Sequence, residues 1–325
     1  MRLFLIRHGE TVDNVAQVYA GSRDSELTNH GFQQAQRLAR YLHDCDVRFT
    51  HIFASPLQRA RKTAQAILGA QSSPALTITS VPAIQEQDFG SFEGKTWLEG
   101  PSANKPRPAG FVDPESKESM ARRVDGFLDE HMAALWRSAA AGERNVVAIV
   151  SHGIILSVLW RRILRRLPPN SVSIRRELLI PGKPVSLEYI GGFSNTGYLE
   201  LEMSSRGTPV ARALDRVSGH TGTASSQGKH PTARGTAGSV ASVANASDLT
   251  VDPAPAPASA TERLPAIGGA DSSIPVLGGW TTQVVTINGK EHLQGLKRTG
   301  GGVGSSKHDT NQKSIDTFFK RRKVD

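Results

Sequence analysis

The chain has 325 residues, 38% of them hydrophobic and only 6% aromatic, with a formal charge of +9. Its single Cys45 excludes an intramolecular disulfide framework and a cysteine-based metal cluster. The apolar runs are too short or interrupted to span a bilayer, and Met1 leads straight into a strand-like run, so the expectation is a soluble intracellular protein with no secretory leader and no membrane partner.

In chain order, Leu3-Phe4-Leu5-Ile6 is apolar throughout, as expected of a parallel-sheet strand covered on both faces. It delivers Arg7 and His8 to the strand's carboxyl end, where open α/β sheets bind ligands. A Gly-rich polar stretch through Gly21, Ser22 and Asp24 follows. Thr28 is the expected N-cap of a helix over Phe32–His43, with Ala35, Leu38, Ala39 and Leu42 forming its buried stripe. His51–Ala54 is a second strand, stopped at Ser55-Pro56. A helix then carries Ala60, Ala64, Ile67 and Leu68 on one side.

Leu76–Val81 is a third strand, and Ile84–Gly90 a loop. Pro101–Pro114 is a Pro- and Gly-rich surface excursion, in which Lys105 and Arg107 could line the mouth of a site. Ser119–Trp136 has helical spacing. Asn145–Val150 is apolar and β-branched, a central strand that ends at Ser151-His152-Gly153, and a helix follows. Ser186–Tyr189 and Gly197–Met203 are expected to be two strands around Asn195-Thr196. This alternation predicts an α/β fold, a three-layer α/β/α sandwich with a mainly parallel central sheet.

From about Ser204 the pattern changes to Thr, Gly, Ser, Ala and Pro, a composition that cannot bury enough apolar surface to offset its ordering entropy. The chain is therefore divided into a globular domain over 1–203 and a long disordered C-terminal tail over 204–325. Inside the tail, Trp280–Leu296 reads as an isolated hairpin turning at Asn288-Gly289, marginal by itself. The tail holds 15 Lys/Arg against 9 Asp/Glu and so carries +6 of the net charge, which makes nucleic-acid contact or nuclear import its functional alternatives to plain solvation.

Three polar clusters follow strands: Arg7-His8, Ser55–Arg59 and Ser151-His152-Gly153. Cationic and imidazole groups on one rim of a sheet build a positive pocket, and the fitting ligand is a phosphate dianion. The same residues carry a resemblance. Arg7-His8-Gly9-Glu10-Thr11 with Asn14, Gly21 and Leu27-Thr28…Gly31…Gln34-Ala35 resembles the opening of the histidine phosphatase superfamily, the phosphoglycerate mutase-like clan. Ser55-Pro56-Leu57-Gln58-Arg59-Ala60 resembles its second motif, Glu86…Phe89-Gly90…Glu93-Gly94 its acid-bearing loop, and Val150-Ser151-His152-Gly153 its closing motif.

The resemblance implies a catalytic set of Arg7, His8, Arg59, Glu86 and His152. His8 would be the nucleophile that forms a phosphohistidine, and Glu86 the proton donor to the leaving group and then the base for water. Arg7, Arg59 and His152 would hold the phosphoryl oxygens, with Asn14 and Gly21 also contacting the ligand. Glu10 is assigned a structural or orienting role as readily as a chemical one. The resemblance implies neither metal nor cofactor, and a small phosphorylated substrate or phosphoprotein as ligand. The loop pattern resembles the phosphatase branch. Two alternatives stay open, a phosphoglycerate-type phosphomutase and a catalytically silent clamp-binding adaptor.

At the C-terminus, Gln312-Lys313-Ser314-Ile315-Asp316-Thr317-Phe318-Phe319 resembles the PIP box, the peptide that docks on the DNA sliding clamp PCNA. One helical turn would place Ile315, Phe318 and Phe319 on one side as an apolar plug, with Gln312 as a polar anchor. Lys320-Arg321-Arg322-Lys323 follows, a basic cluster suited to nuclear import. The resemblance thus implies PCNA as a partner and a nuclear location, with the cytoplasm as a second compartment.

Overall fold

The computed structural model describes residues 1–99, 107–179, 185–205, 277–298 and 303–308. They build a seven-stranded sheet in the order β3-β2-β4-β1-β6-β7-β5. Its strands are β1 (Arg2–Arg7), β2 (His51–Ala54), β3 (Ile78–Ser80), β4 (Val146–Ser151), β5 (Val172–Ile174), β6 (Tyr198–Ser205) and β7 (Trp280–Gly289). Only β6 runs against the others, pairing antiparallel with both β1 and β7. The mainly parallel sheet is the one expected.

Two helical layers cover the sheet because its central strands are apolar on both faces. From β1 and β4, Phe4, Ile6, Ala148 and Val150 pack on α2 (Asn29–Asp44) and α3 (Gln58–Gly69). Leu3, Leu5, Val147 and Ile149 pack the other way, on α4 (Lys117–Phe127), α5 (Ala133–Ala140) and α6 (Gly153–Arg166). A short first helix, α1 (Val12–Ala16), follows β1. Thr28 caps α2 as expected, its hydroxyl accepting from Gly31 N. The helix expected over Ser119–Trp136 is α4 and α5 joined by one π-helical turn, Leu128–Met132.

Two expectations fail at the sheet's far side. Ser186–Tyr189 is not a strand beside β6 but a turn closed by a single bridge between its two ends. The partner of β6 is β7, which was assigned to the disordered tail. Leu201 sits opposite Val284 and Met203 opposite Thr282, all four buried. The reason is burial. As an edge, β6 would leave apolar side chains and a row of backbone donors without partners, and β7 supplies both a ladder and a matching face. Asn288-Gly289 does not turn a hairpin. It closes β7, where the Asn288 side chain accepts from Ser194 N and donates to Ser194 Oγ at 2.8 and 3.0 Å. The boundary at 203 is therefore corrected for residues 277–298 and 303–308, which belong to the same folded unit as residues 1–205. The remainder of the expected tail, with Gln312, Ile315, Phe318, Phe319 and Lys320–Lys323, lies outside the described residues, as does Lys105.

Beyond β7 the chain buries His292, whose Nε2 lies 2.8 Å from Thr196 Oγ1. Burial first, and then the Arg37 guanidinium, hold its pKa down at about 4 against an ordinary 6.5. The unfolded chain therefore binds a proton that the folded one refuses between these values. This share of stability is complete above pH 6.5 and is lost as pH falls towards 4, a loss on the order of 3 kcal/mol. His292→Gln keeps an N–H donor and does not titrate. Its urea-unfolding free energy should fall less between pH 7 and 4.5 than that of the wild type, and an unchanged fall contradicts the assignment.

Candidate active site

The carboxyl ends of β1, β2 and β4 place three side-chain groups side by side, and the loop after β3 adds a fourth. Arg7 closes β1 and His8 follows it, both buried at 3% and 4% exposure. His8 N donates to Ser151 O at 3.0 Å, which ties the end of β1 to the end of β4. The His8 and His152 rings meet edge to face, 5.1 Å apart.

The tautomer of His8 follows from its partner. Its Nδ1 lies 2.7 Å from Gly9 O, and a carbonyl only accepts, so Nδ1 carries the hydrogen. Burial, then Arg59 and then Arg7 push the His8 pKa well below its usual value. The ring is neutral at physiological pH, and Nε2 presents a bare lone pair.

His152 is neutral in the opposite tautomer. Arg59 Nε–H donates to its Nδ1 at 3.1 Å, so Nε2 holds the hydrogen and donates to Ser55 Oγ at 2.8 Å. Burial, then Arg59, His8 and Arg7, lower its pKa far below the usual range. Arg59 itself is 1% exposed. Its other nitrogens donate to Arg23 O and Gly21 O at 2.6 and 2.7 Å. Burial is the main reason that its pKa falls to about 10, still charged at neutral pH. Gly21 is required at this anchor. It sits at φ 52°, and a Cβ there would lie 2.2 Å from Glu93 Oε1.

Glu86 completes the ring of groups. Its carboxylate accepts from Gln87 N, Ile154 N and Ile155 N at 3.0, 3.2 and 3.1 Å, the last two at the start of α6, beside His152. Those bonds and Arg59 favour the anion, yet burial outweighs them and raises the pKa. Arg7 lies against the same helix start and donates from Nη1 to Phe193 O at 2.7 Å.

The arrangement therefore holds one imidazole nitrogen with a bare lone pair, two guanidinium groups and a buried carboxyl around a single spot. A family model described as the histidine phosphatase superfamily (branch 1) matches residues 3–177. The chain belongs to that superfamily. It is 37% identical over 169 residues to a probable phosphatase of Schizosaccharomyces pombe, a match over 50% of this chain and 56% of that one. It is 29% identical over 155 residues to a broad-specificity phosphatase of Saccharomyces cerevisiae, over 47% and 66%. It is 33% identical over 181 residues to a probable phosphoglycerate mutase of Erwinia tasmaniensis, over 53% and 78%. The chain thus spans just over half the length of the first relative and just under two thirds of the second.

Of the residues singled out in sequence, the fold brings Arg7, His8, Arg59, Glu86 and His152 together. Gly21 joins them through its carbonyl. Asn14 serves the backbone: its Oδ1 accepts from Thr11 N and from Asn195 Nδ2, which also reaches His8 O at 3.3 Å. Arg107 is exposed, paired with Asp113 and stacked on Phe111, rather than directed at the site.

Several contributors left no trace in the sequence. Arg123 on α4 donates to Ala83 O, Gln85 O and Glu86 O at 2.8, 2.7 and 3.2 Å and so fixes the loop that carries Glu86. It is held in turn by Glu115 at 2.8 Å. The loop Phe193–Thr196 binds Arg7 and His8 through backbone atoms. Backbone acceptors have no residue signature, so only the long-range fold reveals them.

Proposed function

We propose that this chain is a metal-independent phosphomonoester hydrolase that works through a phosphohistidine on His8. The observation that carries the reading is the His8 ring, whose Nδ1–H is committed to Gly9 O while Nε2 stays neutral and bare beside Arg7 and Arg59. In the first step Nε2 attacks phosphorus, the bond to the ester oxygen breaks, and protonated Glu86 gives its proton to the leaving alkoxide. In the second, water attacks phosphorus, Glu86 takes its proton, the N–P bond breaks, and inorganic phosphate leaves with His8 restored. Arg7 and Arg59 stabilise charge on the equatorial oxygens throughout, and His152, held by Ser55, orients Arg59 beside them.

Hydrolysis is favoured over phosphoryl return to an isomeric hydroxyl by the loop pattern around Glu86 and by the two yeast relatives, both phosphatases by name. Phosphorus NMR on 3-phosphoglycerate with a trace of 2,3-bisphosphoglycerate and chelator separates the two. Inorganic phosphate is the expected product. Accumulation of the 2-phospho isomer without phosphate would replace the hydrolase by a mutase.

The same chain is proposed to work while tethered to the nuclear sliding clamp. The support is the run Gln312, Ile315, Phe318 and Phe319, with Lys320–Lys323 behind it for import. In a titration against PCNA, replacing Phe318 and Phe319 together by alanine should weaken binding at least about 100-fold, as expected when an interface loses its two aromatic anchors. Equal affinity for the two forms rejects the tether and leaves the hydrolase untouched.

A further inference from the structure

The family match ends at residue 177, yet the segment that follows β7 returns to the catalytic loop and grips it at two points. The first grip is on Glu10. Glu10 is 3% exposed, and its Oε1 accepts from Thr28 Oγ1 at 2.8 Å. Its Oε2 is paired with the Arg298 guanidinium, 288 residues away in sequence. Arg298 is fixed from its other side by a bond to Ser305 Oγ at 2.6 Å. The stretch containing Ser305 is fastened over the start of α2. Asn29 N donates to Ser306 O at 2.9 Å, Lys307 pairs with Glu26 at 2.8 Å, and the His308 ring stacks on Phe32 with centroids 3.9 Å apart.

The pull on Glu10 reaches His8 through one peptide unit. The Gly9–Glu10 peptide accepts His8 Nδ1–H on its carbonyl and donates its N–H to Gln34 Oε1 at 2.9 Å. Its orientation sets which His8 nitrogen carries the hydrogen. Clamping the Glu10 side chain between Thr28 and Arg298 fixes that orientation.

The second grip is on the backbone carbonyl of His8. Thr196 N donates to it at 3.1 Å. Thr196 sits at φ 55°, a left-handed conformation that a β-branched residue rarely adopts and that persists only where its surroundings enforce it. Those surroundings come from the C-terminal segment. Asn288 holds Ser194, two residues before, from both sides, and His292 Nε2–H donates to Thr196 Oγ1, whose own hydrogen goes to Asn195 O at 2.7 Å.

We propose that Arg298 and His292 are positioning residues for the His8 nucleophile, so that the catalytic site of this chain is complete only with its C-terminal segment in place. The proposal rests on the reading of His8 as nucleophile, and it adds that the tail is a working part of the enzyme domain as well as a tether.

The test uses the full-length chain and two readouts, steady-state kinetics on an aryl phosphate and imidazole ¹⁵N shifts of His8. Arg298→Gln and His292→Ala should each lower kcat about tenfold or more with KM changed less than about twofold, because the nucleophile is misaligned while the phosphate clamp is intact. The wild type should show a single Nδ1–H tautomer, and Arg298→Gln a mixture. Arg298→Lys and His292→Gln should recover much of the loss. Glu10→Gln combined with Arg298→Gln should be no slower than Glu10→Gln alone, since both act through one contact.

Folded Arg298→Gln and His292→Ala with wild-type kcat and an unmixed His8 tautomer overturn the proposal, as do multiplying effects in the double variant. Should Arg298→Gln fail to fold, Arg298→Met decides: a lowered kcat with a mixed tautomer supports the proposal, and wild-type values for both overturn it. A wild-type chain without turnover, or full activity in His8→Ala, sinks the hydrolase reading instead. The ¹⁵N shifts then still decide whether the segment positions His8.

Discussion

His8→Ala is expected to lower turnover of any phosphomonoester by about 10⁴-fold or more, with the fold intact. The size follows from what the site offers without the ring. Arg7 and Arg59 still bind and polarise the phosphoryl group, so KM should move little. Water would have to attack directly, and nothing in the site holds a water in line with the leaving group as the ring holds Nε2. In the proposed mechanism His8 is more than a nucleophile by identity. Its Nδ1–H bond to Gly9 O and its burial beside two arginines keep it neutral, so it is ready to attack across the physiological pH range. Alanine fits the space without burying a new polar group, and the chain should keep its melting temperature to within a few degrees. Undiminished turnover in His8→Ala removes the mechanism.

Glu86→Gln should cost about 10² to 10⁴ in kcat/KM on alkyl phosphates, whose alkoxides need a proton to leave, and far less on an aryl phosphate with an acidic phenol. The pH dependence gives the sign. The first step needs Glu86 protonated, and burial raises its pKa. Wild-type kcat/KM on an alkyl phosphate should therefore fall as pH rises through that raised value, and the fall should vanish in Glu86→Gln. The second step needs the carboxylate as base. With an activated aryl phosphate the variant should release phenol in a burst and then stall, because phosphorylation proceeds while attack of water has lost its proton acceptor. An unaltered alkaline limb in the variant would assign that proton to another group.

Much of the site was legible in the sequence because most of its parts follow the end of an apolar run. Arg7 and His8 close a strand that is buried on both faces, and Val146–Ser151 delivers His152 in the same way. Parallel strands bring such ends to one rim without further information. The acid loop was legible only as a motif, since no periodicity marks it. What stayed hidden has a common cause, which is dependence on distant partners. Trp280–Leu296 reads as a marginal hairpin by itself, and its first part, Trp280–Gly289, becomes a strand because β6 needs a neighbour. Asn288-Gly289 has the composition of a turn, and tertiary context uses it as a strand end and a clamp on Ser194. Arg298 looks like one more charge in a basic tail until it is found on Glu10. Arg123 looks like one more helix charge until three loop carbonyls converge on it. Local pattern finds residues that touch a ligand from strand ends. It does not find those that hold the finders in place.

The central claim is a covalent phosphoryl group on His8, and Glu86→Gln is the form in which to trap it. The variant is mixed with an activated aryl phosphate in chelator, quenched at alkaline pH within the burst, and mapped by mass spectrometry. Close to one phosphoryl group per chain is expected, on His8, lost on acid treatment as a phosphoramidate is. A burst with no modified residue, or the group on any other side chain, contradicts it.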